Sequence, residues 1–196
     1  MILKTIHKIP IIKKTVSKVL DRWVENKASQ FKHFLHPEDK ILDVGCGNCL
    51  IANNLVQKGH NVIPIDVKNL SIVPDIKPIV YNGTKLPFKA DTFDTVLLLT
   101  VLHHCDTPKK VIEEAKRVSD TIIIIEDTYS NRIQKVITQF IDLIVNFGHS
   151  KMTYQNKSET GWEETFKSLD LQVLSKRRKP VLLFFRQTTY YLKKGL

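Results

Sequence analysis

A short apolar strand that runs into a glycine turn and then a helix constrains this chain more than any other feature. Ile41–Val44 is strand-like, Gly45 and Gly47 follow it, and a helical pattern begins at Leu50. Glycines let the backbone approach a ligand closely, and a helix N-terminus offers N–H groups that have no intrahelical partner. The segment therefore predicts a ligand-binding loop.

An acidic residue, Asp66, ends the second predicted strand, 21 residues after Gly45. That spacing suits a carboxylate that accepts hydrogen bonds from both ribose hydroxyls of a bound nucleoside. The dinucleotide fingerprint G-x-G-x-x-G needs a glycine at position 50, where this chain has Leu50, so a nicotinamide oxidoreductase is disfavoured. Asp43 would lie poorly beside a pyrophosphate. It suits a cationic ligand, such as the amino group or sulfonium of S-adenosylmethionine, or else it braces the loop.

Strand-like and helical segments alternate from residue 40 onward, the order typical of a mostly parallel sheet with helices on both faces. We therefore expect an α/β, Rossmann-like three-layer sandwich formed by one domain, 1–196, with an N-terminal helical segment (1–37) and a core (38–196). The last two strands predict an antiparallel hairpin joined around Arg177–Pro180. The predicted strands are Ile41–Val44, Asn61–Asp66, Lys77–Tyr81, Thr95–Leu99, Thr121–Ile125, Leu171–Lys176 and Val181–Tyr191; the predicted helices are Leu50–Lys58, Pro108–Val118, Asn131–Phe147 and Glu159–Leu169.

The N-terminal segment has the pattern of a basic amphipathic helix over residues 2–35, with Pro10 as a break or a start. Such a helix packs on the domain, covers a site or lies on a membrane surface. The net charge of +10 is concentrated at the two ends, since residues 1–40 carry +5, residues 151–196 carry +6 and residues 41–150 carry −1. Nucleic acid, a membrane surface and an anionic substrate are candidate partners, beside simple solvation. The helical stripe contains apolar Ile12, Val16, Val19, Leu20 and Trp23, with basic Lys13, Lys14, Lys18 and Arg22 between them.

Three cysteines, Cys46, Cys49 and Cys105, cannot form a disulfide framework. No signal peptide or membrane-spanning run is recognisable, so we expect a cytoplasmic location. The spacing of Cys46 and Cys49 also fits a redox pair or half of a zinc site. No second Cys/His pair with ligand spacing follows, so we expect no metal and assign both cysteines to the glycine loop.

The segment Ile41–Leu50 resembles the first motif, h-h-D-h-G-x-G-x-G, of class I S-adenosylmethionine-dependent methyltransferases. Later segments in the same order are similar to motifs of the small-molecule, methyltransferase type 11-like branch. Together they cover about residues 38–127. These later segments are Leu86-Pro87-Phe88, Phe93-Asp94 with the strand to Thr100, Val101-Leu102-His103-His104, Glu113-Glu114 and Arg117-Val118.

The resemblance implies the strand order 3-2-1-4-5-7-6 with an antiparallel edge, S-adenosyl-L-methionine as cofactor and S-adenosyl-L-homocysteine as product. It places Asp66 at the ribose hydroxyls, Asn82 at the adenine amino group where the family has aspartate, and Thr100 under the methionine end. Two further departures are Cys49 in place of the third glycine and Val118-Ser119-Asp120 in place of a glycine pair. The implied cofactor-binding residues are Asp43, Gly45, Cys46, Gly47, Asp66, Val67, Asn82, Gly83, Thr100 and Val101.

Residues that follow the fourth and fifth predicted strands are candidates for contact with the methyl acceptor. His103 or His104 could act as a general base, or both could shape the pocket. Glu126, Asp127 and Tyr129 follow the fifth strand at the same edge, where open α/β sheets bind ligands. Arg177 to Lys179 are predicted to form a basic turn.

We therefore predict methyl transfer to a small molecule by in-line displacement. An RNA or lipid acceptor and a non-catalytic, partner-binding subunit are the alternatives. The acceptor, the accepting atom and the oligomeric state stay open.

Overall fold

The computed structural model describes residues 10–129, 156–182 and 185–195. Helices α1 (Pro10–Ala28), α2 (Leu50–Gln57), α3 (Pro108–Val118) and α4 (Glu159–Ser168) are joined by loops and by single 3-10 turns at Lys32–Phe34 and Leu102–His104. The strands are β1 (Lys40–Val44), β2 (Asn61–Asp66), β3 (Ile79–Val80), β4 (Thr95–Leu99), β5 (Thr121–Thr128), β6 (Leu171–Leu182) and β7 (Phe185–Lys194). The predicted helix Asn131–Phe147 and the predicted helical residues 2–9 lie outside the described residues.

The strands form one sheet in the order β3-β2-β1-β4-β5-β7-β6. β1 to β5 pair in parallel, and β7 is antiparallel to both β5 and β6. The predicted order and the antiparallel edge are therefore confirmed. Parallel strands need helical crossovers, and these crossovers place helices on both faces of the sheet.

Two apolar clusters, one on each face of the sheet, make the three layers. One face packs α3 and α4 against alternate strand residues, with Trp162 and Phe166 fully buried there. The other face packs α1 and α2 against the remaining strand residues, with Val24 and Ala28 of α1 and Leu55 of α2 buried. Because central strands are covered on both faces, β4 is apolar from Val96 to Leu99 and β5 from Ile122 to Ile125.

Local sequence signals set several helix ends. Pro10 and Pro108 begin α1 and α3, where a missing N–H costs no intrahelical bond. The Ser158 hydroxyl caps α4 by accepting from the Gly161 N–H at 3.2 Å. Gly59, with φ of 90°, follows the end of α2 in a left-handed conformation.

Strand β5 continues to Thr128, three residues beyond the predicted end at Ile125. The ladder with β4 ends at the pair Leu99–Ile125, but β7 continues to pair with β5 as far as Thr128. Glu126 and Asp127 therefore lie within a strand, where the sequence predicted residues following one. The antiparallel partner supplies the hydrogen bonds that keep the chain extended.

The predicted turn around Arg177–Pro180 is wrong, because β6 continues to Leu182. Arg178 donates three hydrogen bonds of 2.7 to 2.9 Å to the Glu159 carboxylate of α4, and the Arg177 guanidinium lies 5.6 Å from the centre of the Phe34 ring. These partners hold the basic run in the sheet. Pro180 is tolerated because β6 is the edge strand and need not donate outward at that position.

Strand β3 is also shorter than the predicted Lys77–Tyr81, because only Ile79 and Val80 pair with β2. In the part of the chain that the structure describes, no helix is both long and apolar enough to cross a membrane. The division into an N-terminal segment and a core at residue 37 stays a prediction, although the last turns of α1 share a core cluster with β1, β4 and β5.

Candidate functional site

The glycine loop lies between the carboxyl end of β1 and the start of α2. A Cβ atom at Gly45 would lie only 2.2 Å from Cγ2 of Val101, and φ of Gly45 is 74°, so no other residue fits. A Cβ atom at Gly47 would meet nothing within 4 Å, which leaves that side of the loop open. Cys49 has φ of 61°, so the residue that replaces the third glycine keeps the left-handed conformation that glycine favours.

Asp66, at the carboxyl end of β2, holds the loop in place. Its carboxylate accepts from the Gly47 N–H at 2.8 Å and from the Val67 N–H at 2.6 Å, with a longer contact of 3.3 Å from the Lys68 N–H. A carboxylate can accept about four hydrogen bonds, so Oδ2 keeps a lone pair for a ligand hydroxyl. Asp66 thus braces the loop. From the sequence, this bracing role was predicted for Asp43 as an alternative to cofactor contact.

Asp43 is buried under the same loop, with 2% of its surface exposed. Among the described residues, no N–H or O–H group donates to its carboxylate. Burial, together with the nearby charge of Asp66, raises the pKa of Asp43 to about 7. A buried carboxylate without donors is costly, and a cationic group placed beside it would remove that cost.

The adenine end predicted from the family pattern is formed by the loops after β2 and β3. The Asn82 amide oxygen accepts from the backbone N–H and hydroxyl of Thr84 and from the Lys85 N–H, at 2.8 to 3.2 Å. Its lone pairs are therefore shared with its own turn. Val67 is 51% exposed, and a Cβ atom at Gly83 would lie 3.0 Å from Cγ1 of Val67. Val67 and Gly83 are thus in contact beside the Asp66 carboxylate.

Thr100 directly follows β4 and has a backbone conformation that β-branched residues rarely adopt. Its φ is 56°, and its N–H donates to the Ile125 carbonyl oxygen at 2.6 Å. Its hydroxyl donates to the Leu99 carbonyl oxygen at 2.6 Å. Strain of this kind persists where the surroundings fix the chain, and it is concentrated at functional sites.

A lysine from the N-terminal helix, Lys27, reaches this edge of the sheet, and sequence reasoning did not identify it. Its side chain is 5% exposed, and its ammonium group lies 3.4 Å from Oγ1 of Thr100. Burial lowers its pKa to about 8, although the charges of Asp127 and Glu126 act in the opposite direction. The sequence feature that could have identified Lys27 is its position between Val24 and Ala28, which are buried on one face of the helix.

His103 is joined to Glu126 by a buried hydrogen bond of 2.6 Å between Nδ1 and Oε2. The other carboxylate oxygen of Glu126 accepts from the Leu102 N–H at 2.8 Å. Because a carboxylate accepts, Nδ1 carries the proton and Nε2 is the basic nitrogen. The sequence named both residues separately but could not show that adjacent strands bring them together. His104 is partly buried, with its ring 4.0 Å from that of His103.

The fourth acid of this edge, Asp127, is hydrogen-bonded to a pair of glutamine side chains. Gln187 of β7 donates to Asp127 at 2.9 Å and accepts from Gln30 at 3.1 Å. Burial raises the pKa of Asp127 above its usual range, against the opposing charges of Lys27 and His103. The network joins the loop after α1 to β5 and β7, and so closes one side of the site.

The structure thus brings the predicted cofactor and catalytic residues to the carboxyl ends of β1, β2, β3 and β4, with their roles still predictions. Cys46 and Cys49 face each other with 3.6 Å between sulfur atoms, and burial raises the pKa of both thiols. Within the described ranges, no three His, Cys, Asp or Glu side chains are placed to hold a metal ion. The basic residues 177–179 lie on β6, where Arg178 is paired with Glu159 and Arg177 lies beside the Phe34 ring.

Comparison with known proteins gives a consistent family. Residues 42–121 match a family model described as a methyltransferase domain. An uncharacterized protein of Methanocaldococcus jannaschii is 33% identical over 104 residues, 50% of this chain and 51% of that protein. A ubiquinone biosynthesis O-methyltransferase of Rickettsia bellii is 32% identical over 106 residues, 49% of this chain and 44% of that enzyme. The chain therefore spans about half the length of these curated relatives.

A solved structure shares the fold over nearly the whole chain. The 1,6-didemethyltoxoflavin-N1-methyltransferase of Burkholderia thailandensis, with bound 1,6-didemethyltoxoflavin and S-adenosylhomocysteine, superposes with a TM-score of 0.66 at 14% identity. The match covers 94% of this chain and 87% of that one.

Proposed function

We propose that this chain is a class I S-adenosylmethionine-dependent methyltransferase and that it transfers a methyl group to a hydroxyl oxygen of a small molecule. S-adenosyl-L-methionine is the cofactor, and it supplies a methyl group on a sulfonium that is already a strong electrophile. The protein therefore needs to bind the cofactor and the acceptor, align them and exclude water. The O-methyltransferase name of the Rickettsia bellii relative supports oxygen as the accepting atom.

One observation carries the cofactor assignment: the site holds two buried charges of opposite sign that are poorly partnered within the described chain. Asp43 has no donor there, and the Lys27 ammonium has one hydrogen bond, of 3.4 Å to Thr100, beside the charges of Asp127 and Glu126. The methionine end of the cofactor offers the complementary pair, an amino group and sulfonium for Asp43 and a carboxylate for Lys27. Asp66 would accept from the ribose hydroxyls, while Val67 and Gly83 would line the adenine.

The His103–Glu126 pair supplies a base for a hydroxyl acceptor. Glu126 holds the Nδ1 proton, so Nε2 of His103 is the atom that would accept the acceptor's proton as the oxygen attacks. Asp127 and the strained Thr100 would shape the acceptor pocket at the same edge. Nucleic acid is less well supported as an acceptor, because Arg178 of the basic run is engaged by Glu159 and Lys179 donates to the Asn26 carbonyl oxygen.

The test is a calorimetric titration of the purified chain with S-adenosylmethionine and with S-adenosylhomocysteine. We expect micromolar binding, a loss of at least about 100-fold for Asp66→Ala and about 10- to 100-fold for Lys27→Met. Asp91→Ala, an exposed substitution at the opposite edge of the sheet, is the matched control and leaves binding unchanged. Absence of heat and of thermal stabilisation by either ligand, from folded protein, would sink the enzyme assignment and favour the non-catalytic subunit.

We also propose a cytoplasmic location. The chain has three cysteines, Cys46, Cys49 and Cys105, too few for a disulfide framework. Such cysteine usage is ordinary for proteins of a reducing compartment. Fractionation of the native host with an antibody against the chain would test the location directly.

A further inference from the structure

Helix α1 presents two apolar faces, and only one of them is used by the core. Val24 and Ala28 point inward and are 5% and 0% exposed. Val19 and Trp23, four residues apart and therefore adjacent on the helix surface, are 63% and 48% exposed. In the sequence, Ile12 and Val16 continue the same spacing toward the N-terminus. Val19 and Trp23 therefore form an outer apolar stripe on the described part of the helix.

The polar residues beside this stripe are mainly cationic. Lys18 and Arg22 are exposed, and Lys14 extends their four-residue spacing in the sequence. Of the two acidic residues on α1, Asp21 is exposed, and Glu25 is paired with Lys58 at 2.6 Å and also accepts from Asn54. The outer side of α1 therefore combines an apolar stripe with a basic one.

Contacts of its last turns hold α1 against the body of the protein. Lys179 of β6 donates to the Asn26 carbonyl oxygen at 2.8 Å and approaches the Ser29 hydroxyl at 3.3 Å. Lys27 reaches Thr100 from the same turn. The outer stripe is therefore carried on a fixed element, and whatever binds it is held next to the carboxyl edge of the sheet.

We propose that the outer face of α1 docks on an anionic lipid surface, with Val19 and Trp23 in the headgroup region and Lys18 and Arg22 toward lipid phosphates. A helix with an apolar stripe containing tryptophan and a basic polar face is the type that lies in a membrane interface. Charge complementarity selects anionic lipid. A nucleic acid would leave the apolar stripe unexplained, and an apolar protein partner would leave the cationic stripe unexplained.

Docking through α1 would bring the Lys27–Thr100 edge close to the bilayer. That geometry suits an acceptor that partitions into lipid, and this consequence alone rests on the proposed function. The docking itself is tested without cofactor or acceptor, so its failure is distinguishable from failure of methyl transfer.

The chain has two tryptophans, Trp23 and the fully buried Trp162, so quenching of tryptophan fluorescence reports on Trp23. The full chain is mixed with vesicles of phosphatidylcholine, with or without phosphatidylglycerol, and with brominated phosphatidylcholine as a quencher. We expect co-sedimentation with the anionic vesicles, a blue shift, quenching by the brominated lipid, and loss of all three in high salt. Trp23→Phe should keep co-sedimentation and lose the quenching.

Two double variants test the two stripes separately. Val19→Ser/Trp23→Ser and Lys18→Glu/Arg22→Glu should each weaken anionic-vesicle binding by about tenfold or more. The matched controls Val56→Ser, an exposed apolar residue on α2, and Lys77→Glu should bind like the parent chain. Thermal unfolding verifies that each variant is folded. The proposal is overturned if folded protein does not bind anionic vesicles or if neither double variant weakens binding. It is also overturned if the change in Trp23 fluorescence depends on protein concentration in the absence of lipid.

Discussion

The amino and carboxyl ends of the parallel strands, called here the amino and carboxyl edges of the sheet, differ in how completely their charged groups are partnered. At the amino edge, Asp39 accepts from the His36 N–H at 3.0 Å and from the Thr95 hydroxyl at 3.2 Å. Lys194 there pairs with Asp91 at 2.8 Å and with Asp120 at 2.6 Å. At the carboxyl edge, Asp43 is buried without a donor among the described residues, and Lys27 is buried with one long contact.

Asp66, Glu126 and Asp127 at the carboxyl edge are partnered within the chain, so Asp43 and Lys27 are the two charges that distinguish this edge. A cavity of about 400 Å³ opens at the amino edge, but its carboxylates already have partners there, Asp39 with Thr95 and Asp91 with Lys194. The carboxyl edge instead carries desolvated charges and a strained Thr100, which lower the stability of the chain on its own and are relieved by a ligand.

The largest effect should follow from placing a methyl group in the glycine loop at the carboxyl edge. Gly45→Ala puts a methyl group 2.2 Å from Cγ2 of Val101, so the loop must move, and we expect cofactor affinity to fall at least about 100-fold in calorimetry. Gly59→Ala is the matched control, because φ there is also positive, at 90°, but no atom lies within 4 Å. Gly45→Ala/Val101→Ala should recover part of the affinity; an unaffected Gly45→Ala would refute the contact.

An intermediate effect should follow from removing the buried charge. Because the folded-state pKa of Asp43 is raised to about 7 from 3.8, its ionisation lowers stability as pH rises from about 4 to 7. Asp43→Asn should therefore stabilise the ligand-free protein by about 2 kcal/mol at pH 8, less at pH 5, while weakening cofactor binding. Thermal unfolding at both pH values measures this. Destabilisation at pH 8 would mean that Asp43 supports the fold.

The smallest effect should come from the amino edge. Asp39→Ala removes two accepted hydrogen bonds and leaves the Thr95 hydroxyl without that partner, so we expect a loss of about 1 kcal/mol in unfolding free energy. Cofactor affinity should stay within twofold of the parent value. A larger change in affinity than in stability would remove the distinction between the two edges.

The sequence predicted the elements of the fold closely where local and global signals agreed. Strands β2 and β4 and helix α3 have the predicted bounds, because alternating segments bounded by glycine and proline leave few choices of register. It failed at Arg177–Pro180, since three basic residues and a proline have the composition of a turn. Glu159 and the Phe34 ring, distant in sequence, are what allow an edge strand there.

For the site, the sequence supplied residues but not their pairings. Asp43 and Asp66 were both named, yet which of them braces the loop depends on where the Gly47 N–H points. Lys27 was missed because a lysine in a basic amphipathic helix is usually solvated. The bond between His103 and Glu126 depends on strand order, which joins residues 23 positions apart.

The overlap of β5 with β7 beyond the end of β4 affects how the site can open. Residues 126–128 and 186–188 form a ladder that stands past the parallel strands, so one wall of the site consists of paired backbone. Amides in such a wall should exchange with deuterium as slowly as those of the central sheet. We therefore expect an acceptor to enter the site from another side.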